Sequence, residues 1–253
     1  MKRQRKLLLL AGTEDAHALA EQLAPDRRWH VTVAIGPMRE TQASPPAEAA
    51  RGGFGGAEGL MTALKWDRID AVIDASHPFD TATSAFAATA CGALGLPLIR
   101  LNRLGWTPSR HDRWHRVRSV AEAATTLPFF ARALLDLDGH DLAPFKFRRD
   151  LWTLVRRMSV PLTRFPLPRG DYLVSPTVPS LGHERVVLTD YRIGWIVMGD
   201  VGGSLGETML GAARERNLPV LMIERPPAPN LPPLTREAAT AEAALSLLVG
   251  RFR

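Results

Sequence analysis

The chain has 253 residues and a formal net charge of +6, with 45% hydrophobic and 23% charged residues. This composition is typical of a globular protein rather than a disordered one, and the length suffices for one large domain or two small ones. No run of about 18 apolar residues is present, so no transmembrane helix is expected. The apolar start is too short for a signal-peptide core and leads into Gly12-Thr13-Glu14-Asp15 instead of a cleavage site, so a cytoplasmic location is expected.

The first half of the chain predicts strands alternating with helices. Apolar runs predict strands at 6–10, 31–35, 71–75 and 98–101, and helical periodicity predicts helices at 16–23, 59–64 and 83–94. The segment 36–53 is rich in Pro, Gly, Ser and Ala and predicts a loop. Nearly continuous apolar strands that alternate with helices favour a parallel sheet covered on both faces.

A similar alternation resumes in the second half. Strands are predicted at 152–155, 172–174, 194–198 and 220–223, and helices at 120–124, 127–135, 207–216 and 236–248. A proline-rich connection at 226–233 precedes the last of these helices. We place the boundary near Val120, which predicts domains at 1–120 and 121–253.

The charge excess favours an anionic partner. Only four of the 32 basic residues are lysines, and the arginines are scattered, with no dense basic helix and no aromatic-basic platform. Nucleic acid is therefore not expected as a partner. Arginine pairs in bidentate fashion with carboxylates and phosphates, so a small polyanionic ligand is favoured, although most individual arginines could equally be solvated surface residues.

The single cysteine and the dispersed histidines provide no metal motif. Cys91 has no disulfide partner in the chain, which fits a reducing compartment, and its alanine-rich setting predicts a small core residue. The seven histidines show no ligand spacing, so no metal site is expected.

Two strand-to-helix turns carry glycine. Ala11 to Asp15 follows the first strand, and Gly199 to Ser204 follows the strand at 194–198. A glycine in such a turn lets the backbone approach a ligand, and a helix amino terminus favours a phosphate. A plain tight turn is the alternative in each case, because neither turn has the GxGxxG pattern.

Two further loops combine unusual residues. Arg51 to Gly56 has four glycines in five positions, which allows several amides to face one anion, and Phe54 argues against a merely solvated linker. The loop from Asp74 to Phe79 ends a predicted strand, and its His77 could titrate near neutrality and transfer a proton. A histidine that only caps the following helix is the alternative.

These loops are similar to those of the precorrin-6A reductases of cobalamin biosynthesis. The family opens on a strand followed by GGTxEAxxLA, which matches AGTEDAHALA from Ala11. The stretch from Arg51 to Trp106 matches most specifically, through RGGFGG, IDAVIDASHPF and LPLIRL. The second half matches more loosely, at Gly202-Gly203 and LPVLMIERP, so the resemblance extends over nearly the whole chain.

The resemblance implies two Rossmann-like domains, one for NADPH and one for the tetrapyrrole, with the last strands exchanged between the sheets. It implies an NADPH-dependent reduction of one double bond of precorrin-6A to precorrin-6B, an anionic tetrapyrrole substrate and hand-over to the next enzyme of the pathway. On these motifs His77 is the candidate catalytic acid. The candidate coenzyme-binding residues are Gly12, Thr13, Asp15, Arg39, Gly52, Gly53, Gly55, Gly56 and Ser76. The candidate substrate-binding residues are Arg51, Phe79, Gly202, Gly203 and Ser204.

Of the motifs that depart from the family, the second-domain motif departs most. The family's KNSGG motif is here Gly199-Asp200-Val201-Gly202-Gly203, so a lysine is lost and an acid is gained. If the lysine pairs with a substrate carboxylate, Asp200 is expected to add repulsion on the substrate side. The alternative to the reductase is therefore a divergent homologue that binds a tetrapyrrole without catalysis, or in a regulatory role.

Overall fold

The computed structural model describes residues 3–38, 48–51, 54–137, 139–175 and 179–252, and of residues 48–51 the backbone alone. The strands are β1 (Arg5–Ala11), β2 (Trp29–Ile35), β3 (Glu48–Arg51), β4 (Ala71–Ala75), β5 (Leu98–Leu101), β6 (Arg113–Val117), β7 (Arg132–Asp136), β8 (Trp152–Arg157), β9 (Gly170–Val174), β10 (Trp195–Gly199), β11 (Pro219–Ile223) and β12 (Thr235–Ala238). The helices are α1 (Glu14–Leu23), α2 (Ala57–Trp66), α3 (Thr81–Leu94), α4 (Val120–Thr126), α5 (Leu181–Asp190), α6 (Glu207–Glu215) and α7 (Ala241–Arg251), with a short 3-10 helix at Ala143–Phe147.

The described strands form two six-stranded parallel sheets. The first has the order β12-β5-β4-β1-β2-β3 and the second the order β6-β11-β10-β7-β8-β9. Each is the Rossmann order 3-2-1-4-5-6. The predicted fold class is therefore confirmed.

The sixth position of each sheet is filled by an exchanged strand. Strand β12, near the end of the chain, pairs with β5, while β6, which follows β5 in the chain, pairs with β11. The chain accordingly divides into unit 1, Met1–Leu104 with Pro227–Arg253, and unit 2, Gly105–Pro226. This division differs from the single boundary near Val120, because each sheet takes its edge strand from beyond that boundary.

Alternate residues of the central strand β1 cover both faces of the first sheet. Leu7 and Leu9 are fully buried with residues of α1 and α7, whereas Leu8 and Leu10 pack with residues of α2 and α3. This arrangement explains the unbroken leucine run, since a strand that is covered on both faces has no solvent-facing side. In unit 2, residues of α5 and α6 pack with those of β7, β8, β10 and β11 in one apolar cluster.

Several predicted elements were wrong. The helix predicted at 127–135 is strand β7, because a short buried apolar run does not distinguish the two and Phe130, with φ of 61°, interrupts any helix. The helix predicted at 236–248 is β12 followed by α7, which begins after its cap Thr240. The loop predicted at 36–53 contains β3, and α5 and β6 were not predicted. No helix among the described residues is long and apolar enough to cross a membrane.

Candidate functional site

The turn between β1 and α1 lies where the strand order of the first sheet reverses, between β4 and β2. Gly12 donates its amide to the carbonyl of Ala75 at 3.1 Å. A Cβ at Gly12 would lie 2.5 Å from the backbone nitrogen of His77 and 2.9 Å from the carbonyl oxygen of Met38. Any side chain here would push apart the loops that follow β4 and β2, so the turn requires glycine.

Thr13 fixes the first turn of α1. Its hydroxyl accepts from the amide of Ala16 at 3.2 Å and donates to the carbonyl of Ala75 at 3.1 Å. Because Ala75 ends β4, this one hydroxyl caps the helix and joins it to the neighbouring strand. Thr13 is buried, so its contribution to a ligand site is to shape the turn.

The acidic first turn of α1 is neutralised within unit 1. Arg103, buried at 7% exposure, lies 3.1 Å from the carboxylate of Asp15 and 3.6 Å from that of Glu14. Such pairing reduces the repulsion that two carboxylates would exert on a phosphate at the helix amino terminus. Asp15 was predicted as a coenzyme ligand, whereas no local motif indicated a role for Arg103.

Ser76 and Asp74 form a buried hydrogen-bonded pair below the loop after β4. The Ser76 hydroxyl donates to Oδ1 of Asp74 at 2.5 Å and lies 3.2 Å from the Ser84 hydroxyl. Asp74 is 2% exposed, and its Oδ2 has no hydrogen-bond partner in the described structure. Burial, and then the charge of Asp74, raise the pKa of the Cys91 thiol to about 12. The predicted buried setting of Cys91 is confirmed.

His77 is held by its own loop. Its Nδ1 accepts a hydrogen bond from the amide of Phe79 at 3.2 Å, so the ring proton lies on Nε2. The rings of His77 and Phe79 are 5.9 Å apart at a tilt of 40°. The helix-capping alternative for His77 is wrong, since Asp80 caps α3 through a bond from the amide of Thr83 at 3.1 Å.

The glycine-rich loop leads into α2. Gly55 and Gly56 have φ of 75° and 91°, and a Cβ at Gly59 would lie 1.5 Å from the carbonyl oxygen of Phe54. These positions need glycine for conformation and for close packing. Phe54 packs against the core cluster shared by β1, α2 and α3, which explains an aromatic ring in this loop. Three predicted residues, Arg39, Gly52 and Gly53, lie outside the described residues, and a fourth, Arg51, is described only by its backbone.

In unit 2, a glycine turn follows β10, which has the position in its sheet that β4 has in unit 1. Gly202 and Gly203 adopt φ of 67° and 75°. The carbonyl of Gly203 accepts a hydrogen bond from the indole nitrogen of Trp106 at 2.8 Å. A Cβ at Gly206 would lie 2.4 Å from the same indole ring, so Trp106 shapes this turn. Ser204 is exposed at its outer side.

Asp200 does not project as an uncompensated charge. Its Oδ1 accepts from the amide of Trp106 at 2.9 Å, and its Oδ2 lies 3.0 Å from Nη1 of Arg116. The Arg225 guanidinium also donates to the carbonyls of Asp200 and Val201, at 2.5 and 2.8 Å. An ion pair within unit 2 thus compensates the Asp200 carboxylate. The expectation that Asp200 adds repulsion on the substrate side stays a prediction.

A buried ionic triad lies at the same edge of the second sheet. Arg156, near the end of β8, contacts Asp136 of β7 at 3.2 Å and Glu184 of α5 at 2.6 Å. Burial opposes the charged form of Arg156, but the two carboxylates raise its pKa on balance. The described residues of the chain include no group of three or more metal-ligating side chains arranged to hold an ion.

The fold and these turns define a class of protein: a two-unit Rossmann-like α/β protein in which each sheet has a glycine turn near its reversal of strand order. Residues 6–248 match the model of the family described as precorrin-6x reductase CbiJ/CobK.

Similar proteins extend over nearly the whole chain. A precorrin-6A reductase of Rhodococcus erythropolis is 32% identical and aligns over 95% of this chain and 96% of its own. A Mycobacterium tuberculosis precorrin-6A reductase is 35% identical over 87% and 89%. The solved structure of a CobK precorrin-6A reductase superposes with a TM-score of 0.88 at 30% identity, over 98% of both chains. The chain thus belongs to the precorrin-6x reductase family.

Proposed function

We propose that this chain is an oxidoreductase that uses NADPH to reduce precorrin-6A to its dihydro form, precorrin-6B, in cobalamin biosynthesis. The observation that carries the proposal is the near full-length similarity to proteins named precorrin-6A reductase. Cytoplasmic location and hand-over of the product to a following enzyme remain predictions.

Unit 1 is the proposed coenzyme domain. Ligands of doubly wound sheets bind outside the carboxyl ends of the strands at the reversal of strand order, which in unit 1 is the region of Gly12, Thr13 and Ser76. Three features of unit 1 suit a dinucleotide phosphate. They are the tight turn at Gly12, the ion pairing of the acidic residues at the start of α1, and the positive φ of Gly55 and Gly56. The predicted coenzyme residues Arg39, Gly52 and Gly53 adjoin these elements in sequence.

The choice of NADPH over NADH rests on the end of β2. NAD-specific sheets commonly place an acidic residue after the second strand to bind the ribose hydroxyls, and NADP-specific ones accommodate an arginine. Here Ile35 is followed by Gly36, Pro37, Met38 and Arg39, with no acid among them. This sequence suits the additional phosphate of NADPH.

Unit 2 is the proposed tetrapyrrole domain. Arg225 donates to the carbonyls of Asp200 and Val201, directly before the turn at Gly202 and Gly203. Arg116, which pairs with Asp200, has 41% of its side chain exposed. The substrate carries several carboxylates, which guanidinium groups recognise by charge-assisted hydrogen bonds. Arg51 and Phe79 of unit 1 remain proposed substrate contacts from the sequence.

In this proposal the protein positions the nicotinamide against the macrocycle and supplies a proton. When bound, the nicotinamide supplies the hydride. The reduced double bond also needs a proton. The imidazolium form of His77 can donate one and is then left as the neutral ring, the form whose Nδ1 can accept from the Phe79 amide. We assign His77 as the proton donor of this proposal.

The reaction is tested by incubating the purified chain with precorrin-6A and either NADPH or NADH. We expect NADPH oxidation matched by formation of the dihydro product, with a far lower rate for NADH. Tight binding of the macrocycle with no NADPH oxidation would contradict the reductase and support the non-catalytic alternative.

The role of His77 is tested with His77→Asn. Loss of a general acid should lower kcat by about two to four orders of magnitude and flatten the pH profile, with little change in KM for NADPH. His30→Asn, an exposed histidine of β2, is the matched control and should leave kcat unchanged. Equal rates for both variants would assign proton delivery elsewhere.

A further inference from the structure

An arginine is locked in place at the edge of the second sheet where its strands begin. Arg132 opens β7 and pairs in register with Trp152, which opens β8. The Arg132 guanidinium carbon lies 3.7 Å from the centroid of the Trp152 ring, and its Nε donates to the carbonyl of Tyr191 at 2.8 Å. The rings of Trp152 and Tyr191 stack at 6.0 Å. The terminal nitrogens of Arg132 make no hydrogen bond within the described part of unit 2.

Two more arginines flank Arg132 at this edge. Arg169 directly precedes β9, and its carbonyl accepts from the amide of Thr153 at 3.0 Å. Arg192 lies in the turn before β10 and has a φ of 50°. Two residues later, the amide of Gly194 donates to the carbonyl of Arg132 at 2.9 Å, which brings this turn to the start of β7. Both flanking side chains are exposed, whereas Arg132 is partly buried.

The three positive charges are not compensated by carboxylates. None of Arg132, Arg169 and Arg192 forms a salt bridge with another described residue, although most arginines of the interior do. Burial, followed by the charges of Arg192 and Arg169, lowers the pKa of Arg132. Arg132 is held by Trp152 and Tyr191, so an anion that binds it does not have to order that side chain first.

Unit 1 contains a similar arginine–tryptophan pair, but the neighbouring arginines there have acidic partners. Arg5 opens β1 in register with Trp29, which opens β2, and its guanidinium bonds the carbonyl of Phe252 at 2.7 Å. There, however, the neighbouring Arg28 forms a bidentate pair with Asp26, and Arg3 pairs with Asp70. The arginine–tryptophan pair is thus common to both sheets, and the uncompensated cluster distinguishes unit 2.

We propose that Arg132, Arg169 and Arg192 form a binding site for a small multivalent oxyanion, at the opposite end of the second sheet from the turn at Gly202 and Gly203. Planar guanidinium groups bind phosphate and carboxylate oxygens in the same bidentate manner. The ligand chemistry is therefore a di- or trianion of either kind. The site is independent of the proposed reductase reaction.

The test uses calorimetric titration of the full chain at low salt with inorganic pyrophosphate and, separately, with tricarballylate. We expect saturable binding of at least one probe. Arg169→Gln and Arg192→Gln should each weaken it by about tenfold or more, because each removes a charge-assisted contact from an exposed position that the fold does not need. Tighter binding of pyrophosphate would indicate a phosphate ligand, and tighter binding of tricarballylate a carboxylate ligand.

Arg28→Gln is the matched control, since it removes the same charge from the corresponding edge of unit 1. It should leave the affinity within about twofold, as it lies outside the site. The proposal is overturned if neither probe binds saturably, or if Arg28→Gln weakens binding as much as Arg192→Gln does.

Discussion

Units 1 and 2 share a strand order but differ in whether their buried acids and their arginines form ion pairs. Below the turns at the carboxyl ends of its strands, unit 1 buries Asp74, which accepts from the Ser76 hydroxyl and forms no ion pair with another described residue. Unit 2 buries its acids in ion pairs, Asp200 with Arg116 and Glu184 with Arg156. At the other edge the contrast reverses, because Arg3 and Arg28 of unit 1 have acidic partners, whereas Arg132, Arg169 and Arg192 form no salt bridge with another described residue.

This difference shows that two sheets with the same strand order can carry different charged residues at the ends of their strands. Each sheet has a glycine turn near its reversal of strand order, but the turn follows β1 in unit 1 and β10, the counterpart of β4, in unit 2. The charged residues around the two turns also differ. A dinucleotide and a polycarboxylate macrocycle make different electrostatic demands, and the two patterns are consistent with a division of ligands between the units.

The largest expected effect comes from the ionic triad of unit 2. Arg156→Met leaves the carboxylates of Asp136 and Glu184 without their cation, and Glu184 is fully buried. We expect the free energy of unfolding to fall by about 3 to 5 kcal/mol in denaturant titration. Arg185→Met removes an exposed pair with Glu215 and should have little effect. Similar losses for the two variants would refute the contrast between buried and exposed pairs.

The Asp200 turn gives the next largest effect. Asp200→Asn should lower the free energy of unfolding by about 1.5 to 3 kcal/mol, because a buried charge-assisted contact is lost. A double-mutant cycle with Arg116→Gln should give a coupling free energy of about 0.5 to 3 kcal/mol. Additive effects would mean that Asp200 is not neutralised by Arg116.

Unit 1 should reveal the burial of Cys91 at alkaline pH, with a smaller contribution from the charge of Asp74. The folded thiol has a pKa of about 12 against an ordinary 9.0, so above pH 9.0 the unfolded state loses its proton first and stability falls until about pH 12. Between about pH 8 and pH 10 this contribution should amount to about 1.4 kcal/mol. Denaturant titration should find a correspondingly smaller alkaline loss for Cys91→Ala. Identical pH dependence in both proteins would contradict the raised pKa.

The smallest effect compares helix caps in the two units. Thr13→Ala and Ser180→Ala each remove a side-chain cap, of α1 and of α5, and should each cost about 1 kcal/mol of stability. Only Thr13→Ala should also raise KM for NADPH, since Thr13 shapes the proposed coenzyme turn. If steady-state kinetics show an equal rise in KM for Ser180→Ala, Thr13 has no specific role in the coenzyme turn.

The sequence predicted the fold class because its central strands are strongly apolar and alternate with helices. It predicted the glycine turns as well, because the close backbone approach at Gly12 and the positive φ of Gly56 are both local requirements for glycine. It missed β6, a largely exposed edge strand with the sequence RWHRV, because that strand lacks an apolar signal.

The partners of charged residues were beyond the sequence. Arg116 is 84 residues from Asp200, and Arg103 is 88 residues from Asp15, so no local pattern connects them. Asp200 was interpreted as a repulsive charge for this reason, and only the packing of β6 beside β11 supplies its counter-ion. The Arg132 cluster was hidden similarly, because its three members lie in separate segments that the sheet brings to one edge.

The central claim is tested most directly by following the transferred hydrogen. The purified chain is incubated with precorrin-6A and NADPH that carries deuterium at the reactive carbon of the nicotinamide, and the tetrapyrrole is analysed by mass spectrometry. We predict a dihydro product that contains deuterium from the coenzyme. Recovery of unchanged precorrin-6A, bound to the protein in the presence of NADPH, would contradict the assignment of this chain as a reductase.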